Sequence, residues 1–185
     1  MRLLLDACVL YPTVMREVLT GSAAAGLFVP RWSDRVLEEW ARATIRLGPD
    51  AEAQARGEIA HLKARFPGAI VAVPPGLETR LWLPDADDVH VLAAAVAGSC
   101  DGIVTLNTKD FPGNLLAEEG LFRSDPDGLM LRLHDEAPQA VAGVCAGVLA
   151  QVNAVADRAW EMRALMKKAR MPRLGKRLVA EQGAP

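Results

Sequence analysis

Asp85, Asp87 and Asp88 stand together ahead of an apolar stretch in "LPDADDVHVLAAAVAGSCDGIVTLNTKDFP", and Asn107 and Asp110 follow the next apolar run. One Asp ahead of a helix is a cap, because its oxygen accepts a hydrogen bond from an N–H that the helix leaves unpaired. Three carboxylates this close repel one another unless solvent, capping or a cation compensates. Two further acids hold comparable places. Asp6 comes directly after "RLLL", and Glu39 lies about one and a half helical turns beyond Ser33 in "WSDRVLEEW". Carboxylates gathered at one edge suit Mg²⁺ or Mn²⁺, hard ions that take oxygen ligands and keep several waters. Such an ion orients a phosphodiester and lowers the pKa of a bound water, so the chemistry on offer is phosphate-ester hydrolysis.

Several of these residues also have a purely structural reading. One or two of the Asp trio are caps, and Asp88 stands closest to the apolar register of the helix. Spacing alone does not separate Glu39 from its neighbour Glu38. Asp110 also fits a cap for the turn before "FPGNLL". His61, His90 and His134 share no spacing and read as solvated or partly buried side chains. Trp40, Trp82 and Trp160 read as packing.

The elements that must position the acids alternate. Strands are expected at "RLLLD", "GLFVP", "AIVAV", "GIVTL" and, weakly, "GLFRS". Helices are expected from about Pro12 to Ala25, from Ser33 as N-cap, from Asp50 to Arg65, from about Asp88 to Ala97, near Leu115, and at "PDGLMLRLH". Alternation of this kind implies an α/β fold with a central parallel sheet covered by helices. In such sheets ligands bind beyond the carboxyl ends of the strands, which is where Asp6, Asn107 and Asp110 fall. Pro138 marks a boundary, giving a body of residues 1–137 and a helical extension of residues 138–185. In that extension Ala140 to Lys168 reads as one long or broken helix, followed by a short basic one.

Composition sets limits on the function. The chain has 185 residues, 51% hydrophobic and 24% charged, with a net charge of −2. That balance excludes a disordered chain and does not announce a nucleic-acid binder. Charge is nevertheless uneven: from Gln151 onward it is about +5 against about −7 for the rest. Cys8, Cys100 and Cys145 lack metal-ligand spacing and read as core thiols in a reducing compartment. Asp6 interrupts the first apolar run too early for a signal peptide, and no uninterrupted apolar run reaches the ~18 residues of a membrane span. A cytoplasmic chain without membrane contact is expected.

"LLLDACVLYP", "WSDRVLEEW", "PDADDVHVLAAAV" and "IVTLNTKDFP", in this order, resemble the PIN domain, and more closely the VapC-like nuclease toxins of bacteria. The resemblance spans roughly Arg2 to His134 and ends in a T-x-N-x-x-D-F block, Thr105 to Phe111. It implies a Rossmann-like sheet and a Mg²⁺ or Mn²⁺ site built from Asp6, Glu39 and Asp88. Asp88 is preferred to Asp87 because Ala95 lies seven residues later, as in the family's helix. A fourth position falls at Asn107 or Asp110, the latter acting through water, with Thr105 and Asp87 in support. Many relatives carry Asn where this chain has Cys8, so a polar contact to the first acid is expected to be lost. The resemblance further implies endoribonuclease activity, a cognate antitoxin and homodimers. Lys109, Lys167, Lys168 and Arg170 are then candidate contacts to RNA phosphates or, for the tail, to the antitoxin. Two other classes stay open at this level. A PIN-fold module that only binds would have no use for the acids. A phosphatase using Asp6 as nucleophile would want a second acid where Cys8 stands.

Overall fold

The computed structural model describes residues 1–157 and 159–182. Arg158, counted above among the tail's cations, lies outside them, as do residues 183–185. In chain order the elements are β1 (Arg2–Leu5), α1 (Ala7–Leu10), α2 (Thr13–Ala24), β2 (Val29–Arg31), α3 (Asp34–Thr44) and α4 (Ala51–Arg65). A single 3₁₀ turn, Ala86–Asp88, leads into α5 (Val89–Ala97), β3 (Gly102–Val104), α6 (Gly113–Glu118) and β4 (Phe122–Ser124). Then come α7 (Pro126–Glu136), α8 (Pro138–Val155), α9 (Met162–Lys168) and α10 (Pro172–Gln182).

The chain divides into two compact units. One comprises Met1–Tyr11 and Phe28–Ser124; the other comprises Pro12–Leu27 and the chain from Asp125 onward. The second unit therefore begins ahead of Pro138 and also takes in α2, an apolar helix that the sequence reading had left with the body.

The first unit holds a four-stranded parallel sheet in the order β2-β1-β3-β4. Leu3, Leu4, Leu5, Ile103 and Val104 are fully buried on it. Each such Leu or Ile contributes about 1.5–3 kcal/mol of apolar burial, which is why these runs carry no alternation. Helix α5 packs on β1 and β3 and is buried from His90 through Ala95. Three consecutive alanines there keep the helix slim against the sheet. Gly102 permits the β3–β4 approach, since a Cβ would sit 2.7 Å from the Phe122 carbonyl oxygen.

One expected strand does not form. "AIVAV" contributes a single bridge, Trp32 to Ile70. The reason lies in its neighbour: β2 ends at Arg31 and Ser33 already caps α3, accepting from the Val36 N–H, so only Trp32 remains to pair. Pro74 and Pro75 then lack the N–H groups that would extend a ladder.

In the second unit α8 packs on α2, α7 and α9, and α10 on α7 and α9. The expected Ala140–Lys168 helix is broken between Val155 and Met162. There Asn153 ties the connecting loop by bonding both the N–H and the carbonyl of Trp160. Asp127, 4% exposed, accepts from the backbone N–H groups of Arg173 and Leu174 and so satisfies the start of α10. Arg173 and Arg177 are engaged by Asp127 and Asp135. Among the described residues one helix, α8, is long and apolar enough by length and composition to cross a membrane, with a mean hydropathy of 1.3 over 18 residues.

Candidate metal centre

The strand order reverses direction between β1 and β3, and the acids collect at the carboxyl ends of those two strands. Asp6 is the first residue past β1. Its N–H donates to the Val104 carbonyl, which holds the two strand ends together. The Asp6 side chain is 6% exposed, and its Oδ2 accepts from the Thr105 hydroxyl at 2.7 Å and from the Cys8 thiol at 3.0 Å. The contact expected to be lost at Cys8 is therefore supplied by its sulfur, which also accepts from the Leu106 N–H. Burial, and then the Asp6 charge, push that thiol up to about 12, so it stays protonated and can keep donating.

Thr105, fully buried, also accepts the Asn107 N–H at 2.9 Å. Asn107 in turn donates from Nδ2 to Asp88 Oδ2 at 3.0 Å, and its Oδ1 accepts the Asp110 N–H at 3.4 Å. Arg123 of β4 donates to the Thr108 and Phe111 carbonyls, both at 2.6 Å, and so clamps the turn that carries Asp110. Lys109 is exposed on the same turn.

Carboxylate oxygens of Asp85, Asp88 and Asp110 all lie within 4.8 Å of one another. Asp85, one of the possible caps, belongs to this group, whereas Asp87, expected in support, is not among the three. Asp85 is the cap of the 3₁₀ turn Ala86–Asp88, in extended backbone just ahead of it. Its Oδ1 accepts the Asp87 N–H at 2.9 Å, and the carboxylates of Asp85 and Asp88 come together across this capped turn. Asp6 and Glu39 lie outside the triad but act on it. Burial raises Asp88 from 3.8 to about 6, and the charges of Asp6, Asp85, Asp110 and Glu39 add to the rise. Three carboxylates thus lie together, and two more are near enough for their charges to act on Asp88.

Glu39 and Glu38 are separated by the structure. Glu38 is bound by Arg56 and Arg42, whose hydrogen bonds pull it down to about 2, and it belongs to the surface network of α3 and α4. Glu39 turns the other way, with His90 Nε2 at 2.6 Å from its Oε1 and Arg35 Nε at 3.7 Å. His90 and His134 are 2% and 1% exposed, so neither is the solvated or partly buried histidine expected. Trp40 is buried as expected, whereas Trp82 is 67% exposed and does not pack. Trp160 lies beneath Lys168, whose Nζ is 4.7 Å from the ring centre. Lys167, Lys168 and Arg170 all belong to the helical unit.

The PIN domain family matches residues 2–109, more than half of the chain. The chain belongs to the PIN domain family. No curated protein and no solved structure matches it. PIN domains are in general metal-dependent nucleases, and the donor set of this PIN domain fits a divalent ion. The triad is made of carboxylates alone, without thiolate or imidazole, which suits a hard cation over a soft one. Burial raises Asp88 first and the neighbouring carboxylates add to it, and a bound cation would offset that added repulsion. Sequence reasoning left Asp85 among the possible caps and missed the Arg123 clamp and the Glu39–His90 contact. Only Asp85 had a signal in the chain, its place beside Asp87 and Asp88.

Proposed function

We propose that this PIN domain is a Mg²⁺- or Mn²⁺-dependent endoribonuclease, the VapC-like toxin of a bacterial toxin–antitoxin pair, acting in the cytoplasm. The observation that carries the reading is the Asp85–Asp88–Asp110 cluster, within 4.8 Å at the switch point of the sheet, with the negative charges of Asp6 and Glu39 repelling that of Asp88. Asp6, Glu39 and Asp88 are the ligands in this reading, and Asp110 fills the fourth position with Asp85 beside it. A bound ion would supply positive charge for the phosphodiester and activate water for hydrolysis. Thr105 fixes the Asp6 carboxylate, and Asn107 fixes that of Asp88. Lys109 and the cations Lys167, Lys168 and Arg170 meet the RNA backbone, which Lys and Arg neutralise without regard to base. In this reading residues 1–137 are the nuclease body, residues 138–185 extend it, and a cognate antitoxin and a second copy are its protein partners.

The test is incubation of the purified chain with total RNA, with Mg²⁺, with Mn²⁺ and with a chelator, followed by sequencing of the new ends. Cleavage that needs the ion, leaves 5′-phosphates and fails in Asp6→Asn supports the proposal. RNA left intact while Mn²⁺ still raises the melting temperature would mean a module that binds without cutting. Cleavage unaffected by the chelator would refute the proposal.

A further inference from the structure

We infer that His90 is the positioning residue for Glu39, holding that carboxylate beside Asp88 so that the two can share one divalent ion. The inference rests on the reading of Glu39 and Asp88 as ligands. His90 is 2% exposed, deep in the first turn of α5, and its Nε2 reaches to 2.6 Å from Glu39 Oε1. Neither ring nitrogen has a hydrogen-bond partner of good geometry in the described structure. Leaving a buried imidazole in that condition costs stability, and a Leu or Phe would fill the same volume among Val91, Leu92 and Ala93 without the cost. The polar ring is explained by what it points at.

Glu39 needs such a partner because it has a competing one. It is 40% exposed, and Arg35 on its own helix approaches at 3.7 Å while also reaching Glu78 at 3.4 Å. That pair draws the carboxylate along the surface of α3. Nε2, 2.6 Å from Oε1, opposes it from the buried side, and a neutral ring suffices, because an imidazole N–H can donate to a carboxylate without any charge on the ring. Asp88 immediately precedes α5 and His90 is its second residue. One helix start thus carries a ligand and the group that holds the ligand from α3. Groups that orient metal-bound side chains typically change metal affinity 10–100-fold when removed.

The experiment measures the Kd for Mn²⁺ from the signal of the free ion by electron paramagnetic resonance. It compares the parent, His90→Phe, His90→Gln and Asp88→Asn, with the fold of each checked by circular dichroism in chelator. His90→Phe should weaken Mn²⁺ binding about 10-fold or more, and His90→Gln, whose amide keeps a donor of similar reach, should recover most of the loss. Should Phe prevent folding, His90→Asn replaces it, since its amide is too short to reach Glu39. Equal affinity in the parent and the non-donating variant overturns the inference, as does a Gln variant as weak as that variant. Asp88→Asn separates the two levels. If it binds Mn²⁺ as the parent does, or the parent binds none, the ligand reading itself has failed and the role of His90 falls with it.

Discussion

Asp88→Asn should stabilise the metal-free protein and abolish its response to metal, two effects of opposite sign from one atom. Asp88 is raised from 3.8 to about 6, by burial first and then by Asp6, Asp85, Asp110 and Glu39. A carboxyl raised on folding favours the native state below its unfolded pKa, and this stability is lost as pH climbs through the folded value. At full strength such a rise corresponds to about 3 kcal/mol at neutral pH. The side chain is partly open to water, so screening reduces this to about 1 kcal/mol. Asn keeps the shape, and its Oδ1 can accept from Asn107 Nδ2 as Asp88 Oδ2 does, so no hydrogen bond need be lost. In chelator near neutral pH the variant should therefore melt about 2–4 °C above the parent. The advantage should shrink toward zero as pH falls from 7 through 6 to 4. With Mn²⁺ the order should invert, because the parent gains by binding in its folded state and the variant gains little. Thermal melts with chelator and with Mn²⁺ across that pH range read all of this. A metal-free variant no more stable than the parent at neutral pH, or an advantage that persists unchanged at pH 4, would refute the reasoning.

Thr105→Val removes the 2.7 Å donor from the buried Asp6 at nearly constant volume, and should cost about 1–3 kcal/mol by denaturant titration while lowering metal affinity. Arg123→Met frees the Thr108 and Phe111 carbonyls, so the Asp110 turn should exchange its amide protons faster and the Kd for Mn²⁺ should rise, with β4 still paired to β3. Replacing Lys167, Lys168 and Arg170 by Ala should weaken RNA binding and flatten its dependence on salt, with cleavage at saturating RNA retained. If RNA affinity and salt slope hold while inhibition by the partner protein fails, the tail docks the antitoxin instead.

Much of the fold was legible because it rests on local signals. Ser33 caps α3 through a bond three residues away, and the apolar "RLLL" and "GIV" runs are buried parallel strands. "AIVAV" misled because its strand character depended on a partner, and β2 had already ended. The same division runs through the site. That Asp6 and Asp110 lie at the carboxyl edge of the sheet follows from the ends of β1 and β3, and Asp88 is brought to Asp110 by the start of α5. That Asp85 joins Asp88 and Asp110 depends on the cap it makes for the turn Ala86–Asp88, a role that its neighbours Asp87 and Asp88 could equally have filled by residue type. His90 and Arg123 act across the tertiary structure, on Glu39 and on the Asp110 turn, and nothing in their own neighbourhoods announces it.

The polar ties around the acids form one continuous relay, which bears on the choice between Asn107 and Asp110. Thr105 donates to Asp6 and accepts from the Asn107 N–H. Asn107 then donates to Asp88 and accepts from the Asp110 N–H. Three separate stretches of chain, the end of β1, the end of β3 and the start of α5, are joined by these four bonds. Both functional ends of the Asn107 amide are taken up in the process, so direct ligation by its oxygen would compete with the bond that sets the Asp110 turn. The Asp110 carboxylate lies with those of Asp85 and Asp88. For the proposed metal site, the spacing Thr105, Asn107, Asp110 would supply two struts and one ligand, with Asn107 keeping Asp88 and Asp110 in register through its own amide.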